Sequence, residues 1–363
     1  MISGTARVHP GRITPAGGDG AVMQEDFVQL MRQLAPDLAE EMALRSLVLE
    51  RIAALAPIGR RQLAARLHLP EREIRGAAAA LREQGFIELN ASGMVLTDKA
   101  ADVLPVARAF SRAMRGLTDM ETQLAALLNV ERVCIAAGDA DLDAHVLQDV
   151  GRLAAQRVRG ALQNGMTIAV TGGESIQQTA RHLQSQTPLN VMVVPARGGM
   201  GRSVETQANT IAAEIAQRLG GHHRLIHLPD SMNDAARQEM LRLPEVAEVM
   251  ALIQRADVIL HGIGRAESTM KTVNLPAATA RQLMKQGAAG EAFGAYYDGE
   301  GRCLMESSSV GVDLARLSPS CRMMAVAAGT SKAEAIIAVL RHHPHTLLAT
   351  DEGAARRMLS LLS

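Results

Sequence analysis

Residues 166–182 read MTIAVTGGESIQQTARH. A strand-like run ends at Val170, two glycines follow, and a helical pattern restarts at Glu174. In a turn of this kind the first N–H groups of the new helix point at whatever lies beyond the strand end, which suits an anion. The stretch commits this part of the chain to a strand-to-helix α/β unit. It leaves open whether the loop does chemistry on a phosphorylated compound, holds one as a signal, or only turns a corner.

The rhythm continues outward in both directions. From Val133 on, the runs RVCIAA, MTIAV, NVMVVPA, HRLIHLP, DVILHGIG, EAFGAYYD, RMMAVAAG and HTLLAT read as strands. Helical runs such as 141–163, 204–219 and 332–341 separate many of them. Alternation of this sort predicts a mostly parallel, Rossmann-like α/β sheet covered on both faces. Ligands of open α/β sheets lie beyond the carboxyl ends of the strands.

Two more strand ends match the first. VVPARGGMGRS brings Arg197, Gly198, Gly199 and Arg202 ahead of a helix, and VAAGTSKAEAII brings Gly329, Thr330 and Ser331. Ser331 and Glu334 have capping-box spacing. Lys332, in the first helical turn, opposes the helix dipole, and a bound phosphate would remove that conflict. Three such ends, two with cations, predict a site for an anionic small molecule. None is a Walker A loop, and HGIGRAES lacks the third glycine of a dinucleotide fingerprint. Asp257, His261, Glu267 and Glu291 cluster near strand ends, but no Ser-His-Asp or Cys-His arrangement suggests catalysis. Glu291 and Lys332 leave proton shuttling and hydroxyl binding both open. The paired histidines at 222–223 and 342–345 read as solvated, so no metal is expected.

Composition bounds the rest. The chain has 363 residues, 47% of them hydrophobic, with no Trp and 19 Met, so aliphatic side chains and Met must fill its cores. Cys134, Cys303 and Cys321 lie far apart with no CxxC, which favours a reducing cytosol over a disulfide framework or zinc ribbon. No apolar run is long enough for a membrane span and no signal pattern is evident, so a soluble cytoplasmic protein without a membrane partner is expected.

Residues 1–23, rich in Gly, Pro and Thr, read as a disordered lead with no function assigned. Residues 24–98 read as helix, tight turn, helix and small hairpin, the winged helix-turn-helix pattern. Arg72, Arg75 and Arg82 share one stripe of the second helix, where an arginine can pair with guanine in the major groove. Arg60 and Arg61 open the preceding helix and are candidate phosphate clamps. Between positions 60 and 88 six arginines face four glutamates, so the net charge surplus is small and geometry must carry the DNA-binding reading. Residues 99–130 read as a linker helix interrupted at Pro105, with Leu117, Met120, Leu124 and Leu127 as a stripe that suits either a partner helix or the chain's own domain. Residues 131–363 read as the α/β domain that carries the anion site.

The quoted motifs, together with PIGRR, LREQGFIE, GMVLT, VPARGG, GEAFGAYYD and GTSKAEAI, resemble the SorC/DeoR-like bacterial regulators, and within them the central glycolytic genes repressor (CggR) type. The resemblance runs from about Gln29 to the C-terminus. It implies a winged helix joined to a phosphosugar-binding domain similar to ribose-5-phosphate isomerase and glucosamine-6-phosphate deaminase. It also implies repression of a glyceraldehyde-3-phosphate dehydrogenase operon, relieved by fructose 1,6-bisphosphate. A SorC-type regulator answering another phosphosugar, and a phosphosugar isomerase, are the rivals. By matching motif, the effector would meet Gly172, Gly173, Glu174, Ser175, Arg197, Gly198, Gly199, Glu291 and Lys332, with no cofactor. One position departs: the family's loop carries two threonines where this chain has Glu174 and Ser175. A glutamate there would repel phosphate unless it turns outward or an arginine neutralises it. The expected working form is a dimer or tetramer that sets two winged helices on operator DNA, with half-sites roughly 34–36 Å or a multiple apart.

Overall fold

The computed structural model describes residues 27–28, 30–67, 69–198, 203–228, 233–306 and 309–363. The lead expected over 1–23 lies outside them. The chain divides into two units, Met1–Gly116 and Leu117–Ser363.

In the first unit, Pro36 opens a 20-residue helix, Pro36–Leu55. At that position its missing N–H removes no helical bond. Two short helices follow, Arg60–Leu67 and Glu71–Glu83, then strands β1 (Ile87–Asn90) and β2 (Gly93–Leu96) paired as an antiparallel hairpin. Leu49, Ile52, Leu63, Ile74, Leu81, Ile87 and Met94 are buried together, so each element gives one apolar face to a common core. The hairpin gains a third edge at Ile58, whose N–H and C=O both bond Met94, at 3.2 and 2.8 Å. Gly93 permits this contact. A Cβ there would lie 2.6 Å from the Ile58 backbone, and its φ of +138° suits only glycine.

The 99–130 stretch is two helices, Ala100–Met114 and Leu117–Leu128. Pro105 sits inside the first rather than breaking it, on its exposed side, at the cost of one ladder bond. The break falls at Gly116, whose φ of +65° suits a helix end. The first helix packs on Pro36–Leu55. The second packs on its own unit through Leu117, Met120, Leu124 and Leu128. Leu127, expected on that stripe, is 52% exposed.

The second unit continues with β3 (Val133–Ala136), β4 (Thr167–Val170), β5 (Met192–Pro195), β6 (His222–His223) and β7 (Val258–Gly262). Next come β8 (Gly264–Arg265), β9 (Ala288–Ala292), β10 (Ala295–Asp298), β11 (Cys303–Met305), β12 (Arg322–Val326) and β13 (Leu347–Asp351). Seven strands form a parallel sheet in the order β3-β13-β12-β7-β4-β5-β6. Its two faces are legible in the pleat. Ile259, Met323 and Ala325 join one core with the helices Leu117–Leu128, Pro244–Gln254, Ala333–His342 and Glu352–Leu362. Val258, Leu260, Met324 and Val326 join the other, with the helices Ala144–Ala161, Glu174–His182 and Ala208–Leu219.

Two expected strands differ. Of HRLIHLP only His223, with His222 before it, is strand. EAFGAYYD is a hairpin of a separate antiparallel sheet, β11-β10-β9-β8, because Phe293 and Gly294 both take positive φ and close a two-residue turn between Ala292 and Ala295.

Candidate functional site

Strand β4 is flanked by β5 on one side and β7 on the other. The chain winds outward from this pair in opposite senses, so their carboxyl ends diverge and leave a crevice at the topological switch point. A cavity of about 320 Å³ occupies it. Thr171 to Ser175 line it after β4, Arg197 and Gly198 after β5, and Gly262 to Gly264 after β7. Glu291, Phe293 and Lys332 complete the polar and aromatic walls. The candidate effector residues from all three glycine-bearing strand ends thus meet in one cavity. Gly199, with Arg202, lies outside the described residues.

The Gly172–Ser175 loop is held open by close packing. Thr171 Oγ1 accepts the Gly262 N–H at 3.0 Å, tying the ends of β4 and β7 together. Gly173 donates to the Thr206 carbonyl at 2.9 Å, and a Cβ on Gly172 would lie 2.5 Å from that same oxygen. Gly173 has φ +114° at the cap of the helix Glu174–His182. The amides of Glu174 and Ser175 meet no acceptor among the described residues, leaving two N–H donors at a helix N-terminus facing the cavity.

The Gly329–Ser331 loop is different. Its amides are taken by the protein's own carboxylates: Gly329 donates to Asp351 at 2.9 Å, Thr330 to Asp139 at 3.2 Å and Ser331 to Asp141 at 2.7 Å. The hydroxyls of Thr330 and Ser331 donate to the same two aspartates, 139 and 141. Ser331 therefore bonds Asp141 instead of capping the helix that begins at Ala333, which has no side-chain cap. Only Lys332 from this loop reaches the cavity. Its ammonium makes no hydrogen bond or ion pair with a described residue. Burial pulls its pKa below the usual lysine range, against the opposing pull of the Glu174, Asp141 and Asp351 carboxylates.

Across the cavity Arg197 lies 3.8 Å from Glu291. Glu291 also accepts the Gly294 N–H at 2.7 Å, so the tight β9–β10 turn fixes its carboxylate. Burial raises the Glu291 pKa, with Arg197 and that N–H opposing the rise. Arg197 is fixed from behind, since Gly198 donates to the Val310 carbonyl at 2.7 Å and Val312 to that of Ala196 at 2.8 Å. Beneath Phe293, the ring of His261 lies 4.6 Å away and its Nε2 is 2.8 Å from Nε2 of His345. Burial holds the His345 pKa down at about 4 and lowers that of His261 well below its usual value.

Glu174 is solvent-exposed and lines the cavity. Sequence reasoning allowed two escapes for it, an outward turn or a neutralising arginine; the cation it faces electrostatically is Lys332. Sequence reading also missed Thr206, Gln207, Thr269 and Phe293 in the walls. The helix start at Ala208 and the non-glycine left-handed φ of Phe293 become signals only once β4, β5 and β7 are known neighbours.

In the first unit Arg60, Arg61, Arg72, Arg75 and Arg82 are all exposed. Glu71 pairs with Arg75 at 3.2 Å and with Arg61 at 3.5 Å, linking the two helices across their turn. Such exposed pairs are weak and leave both arginines available to phosphate or base.

No described helix is long and apolar enough to cross a membrane. Residues 42–110 match the family model described as the CggR N-terminal DNA-binding domain, and residues 112–360 match a sugar-binding domain model. The chain is 35% identical over 92% of its length to the central glycolytic genes regulator of Bacillus subtilis, covering 98% of it. It is 34% identical, with the same coverages, to that of Priestia megaterium. A crystal structure assigned to the SorC family from Enterococcus faecalis is 32% identical with TM-score 0.62, over 66% of this chain and 99% of that one. The full-length sorbitol operon regulator SorC of Klebsiella pneumoniae shares the fold over 96% of this chain and all of its own, at 18% identity and TM-score 0.62. With both domain models and the full-length relatives in agreement, the chain belongs to the SorC family of sugar-binding transcriptional regulators, in its central glycolytic genes regulator branch.

Proposed function

We propose that this protein is a cytoplasmic transcriptional repressor of glycolytic genes. It binds operator DNA through the winged helix as a dimer or tetramer and is released by a sugar phosphate, with fructose 1,6-bisphosphate the proposed effector. The observation that carries the reading is the cavity at the switch point. It holds, for a phosphate, two amides and a lysine that have no partner among the described residues, and an arginine-anchored carboxylate for sugar hydroxyls. Holding a ligand rather than converting it is the reading that fits the names of the full-length relatives, which are regulators. Coupling of about 1–3 kcal/mol between the sites would suffice to release an operator.

The test is fluorescence anisotropy of the full chain on promoter DNA of a glyceraldehyde-3-phosphate dehydrogenase operon, titrated with a panel of mono- and bisphosphosugars. Release by fructose 1,6-bisphosphate is expected; release by a different phosphosugar alone would reassign the effector. No isomerisation of ribose 5-phosphate or deamination of glucosamine 6-phosphate is expected. Arg75→Ala should weaken operator binding by about 1–3 kcal/mol and leave sugar binding unchanged.

A further inference from the structure

The cavity contains its own competitor for the ligand. Among its described walls Arg197 and Lys332 are cationic and Glu174 and Glu291 anionic, so the formal charges cancel before any ligand enters. Arg197 and Glu291 answer each other at 3.8 Å. Lys332 is left with no hydrogen bond or ion pair to a described residue, and Glu174 heads the carboxylates that act on it through space. The other two, Asp141 and Asp351, are already committed to backbone amides, Ser331 to the first and Gly329, Ala140 and Ala354 to the second. Glu174 alone of the three has no hydrogen-bond or ion-pair partner among the described residues, and it stands on the solvent side of the cavity. Its own backbone amide is one of the donors a phosphate would use, so an arriving phosphate meets this carboxylate at both of its anchors.

Resting on the sugar-phosphate reading above, we propose that Glu174 is a built-in through-space competitor, sharing the cavity with Lys332, whose repulsion a ligand phosphate must overcome. It thereby sets the effector threshold of this regulator. In the empty cavity Glu174 lowers the cost of keeping an unpaired ammonium partly out of water. On binding, the phosphate pairs with Lys332 and the loop amides against the repulsion of the exposed Glu174 carboxylate. A chain with a neutral residue at this position would respond to less effector.

The experiment is calorimetric titration of the full chain and of Glu174→Gln, Lys332→Met and the double variant with fructose 1,6-bisphosphate, with inorganic phosphate as a second probe. Glu174→Gln should bind the bisphosphate about tenfold more tightly at low salt, the size of a screened charge pair, and the gain should shrink as salt is raised. In the Lys332→Met background the same substitution should add under about half of that gain, because its target is gone. Unchanged or weaker binding by folded Glu174→Gln would overturn the proposal, as would a gain that persists in full without Lys332. If neither the parent nor Glu174→Gln binds any sugar phosphate, the effector reading itself falls, which is a distinct result.

Discussion

Two strand ends in this molecule carry nearly the same local signature and do opposite things. After β4, Gly172-Gly173-Glu174-Ser175 leaves amides open to a cavity. After β12, Gly329-Thr330-Ser331 turns its amides onto Asp351, Asp139 and Asp141. Both are built on a glycine with φ near +110°, at Gly173 and Gly329. The difference lies in what the neighbouring strand ends supply. β12 is next to β13, whose last residue is Asp351, and β13 is next to β3, whose following loop brings Asp139 and Asp141. β4 is next to β7, at the point where the windings part, and the segment that comes across from β5 meets Gly173 with the Thr206 carbonyl rather than with a carboxylate. A glycine-rich turn is thus an anion cradle in both places. In one, the protein supplies the anion itself; in the other two amides meet no acceptor among the described residues, and there the proposed ligand would sit.

Substitutions in the two loops should separate these roles. The largest effect is expected at Asp351, which accepts N–H groups from Ala140, Gly329 and Ala354 while fully buried. Asp351→Ala should cost about 3 kcal/mol or more by chemical denaturation, because three buried donors lose their acceptor. Next, Gly172→Ala pushes a methyl against the Thr206 carbonyl, whose backbone has little room to retreat. It should cost about 1–3 kcal/mol of stability and, by closing the cradle, reduce sugar-phosphate affinity on the order of a hundredfold in the same titration. The smallest and most discriminating pair is Ser175→Ala against Ser331→Ala. Ser175→Ala should weaken ligand binding by about 1 kcal/mol with the fold intact, whereas Ser331→Ala should leave binding within twofold and cost about 1 kcal/mol of stability. A reversed pattern would mean that the filled loop is the effector site.

The contrast also marks where the sequence stops being readable. Strand-to-helix rhythm located β3, β4, β5, β7, β12 and β13, since buried apolar runs between glycine turns have few other uses. The arginine stripe with its hairpin located the winged helix for the same reason. Strand order was not legible, and so Asp139, Asp141 and Asp351, separated from Gly329 by up to 190 residues, were invisible as its partners. The EAFGAYYD run reads as one strand, and nothing local marks the turn inside it, since Phe293 is a poor residue for positive φ. Tertiary contacts with His261 outweigh that local cost. Pro105 reads as an interruption, yet the helix Ala100–Met114 runs through it, because packing on Pro36–Leu55 holds the helix while the proline ring lies on its exposed side.

Gly93, pressed against the backbone of Ile58, has a consequence for how such a protein is controlled. The bond pair it permits fastens the wing to the chain just ahead of the helix Arg60–Leu67. The recognition helix shares the core of Ile74, Leu81, Ile87 and Met94 with that wing, so the three move as one jaw. Set in pairs, as proposed above, such jaws would act as a calliper, whose faces keep their shape while only the gap between them is adjustable. In the proposed oligomer, a sugar phosphate can then change which operator spacing fits without altering which bases each jaw reads.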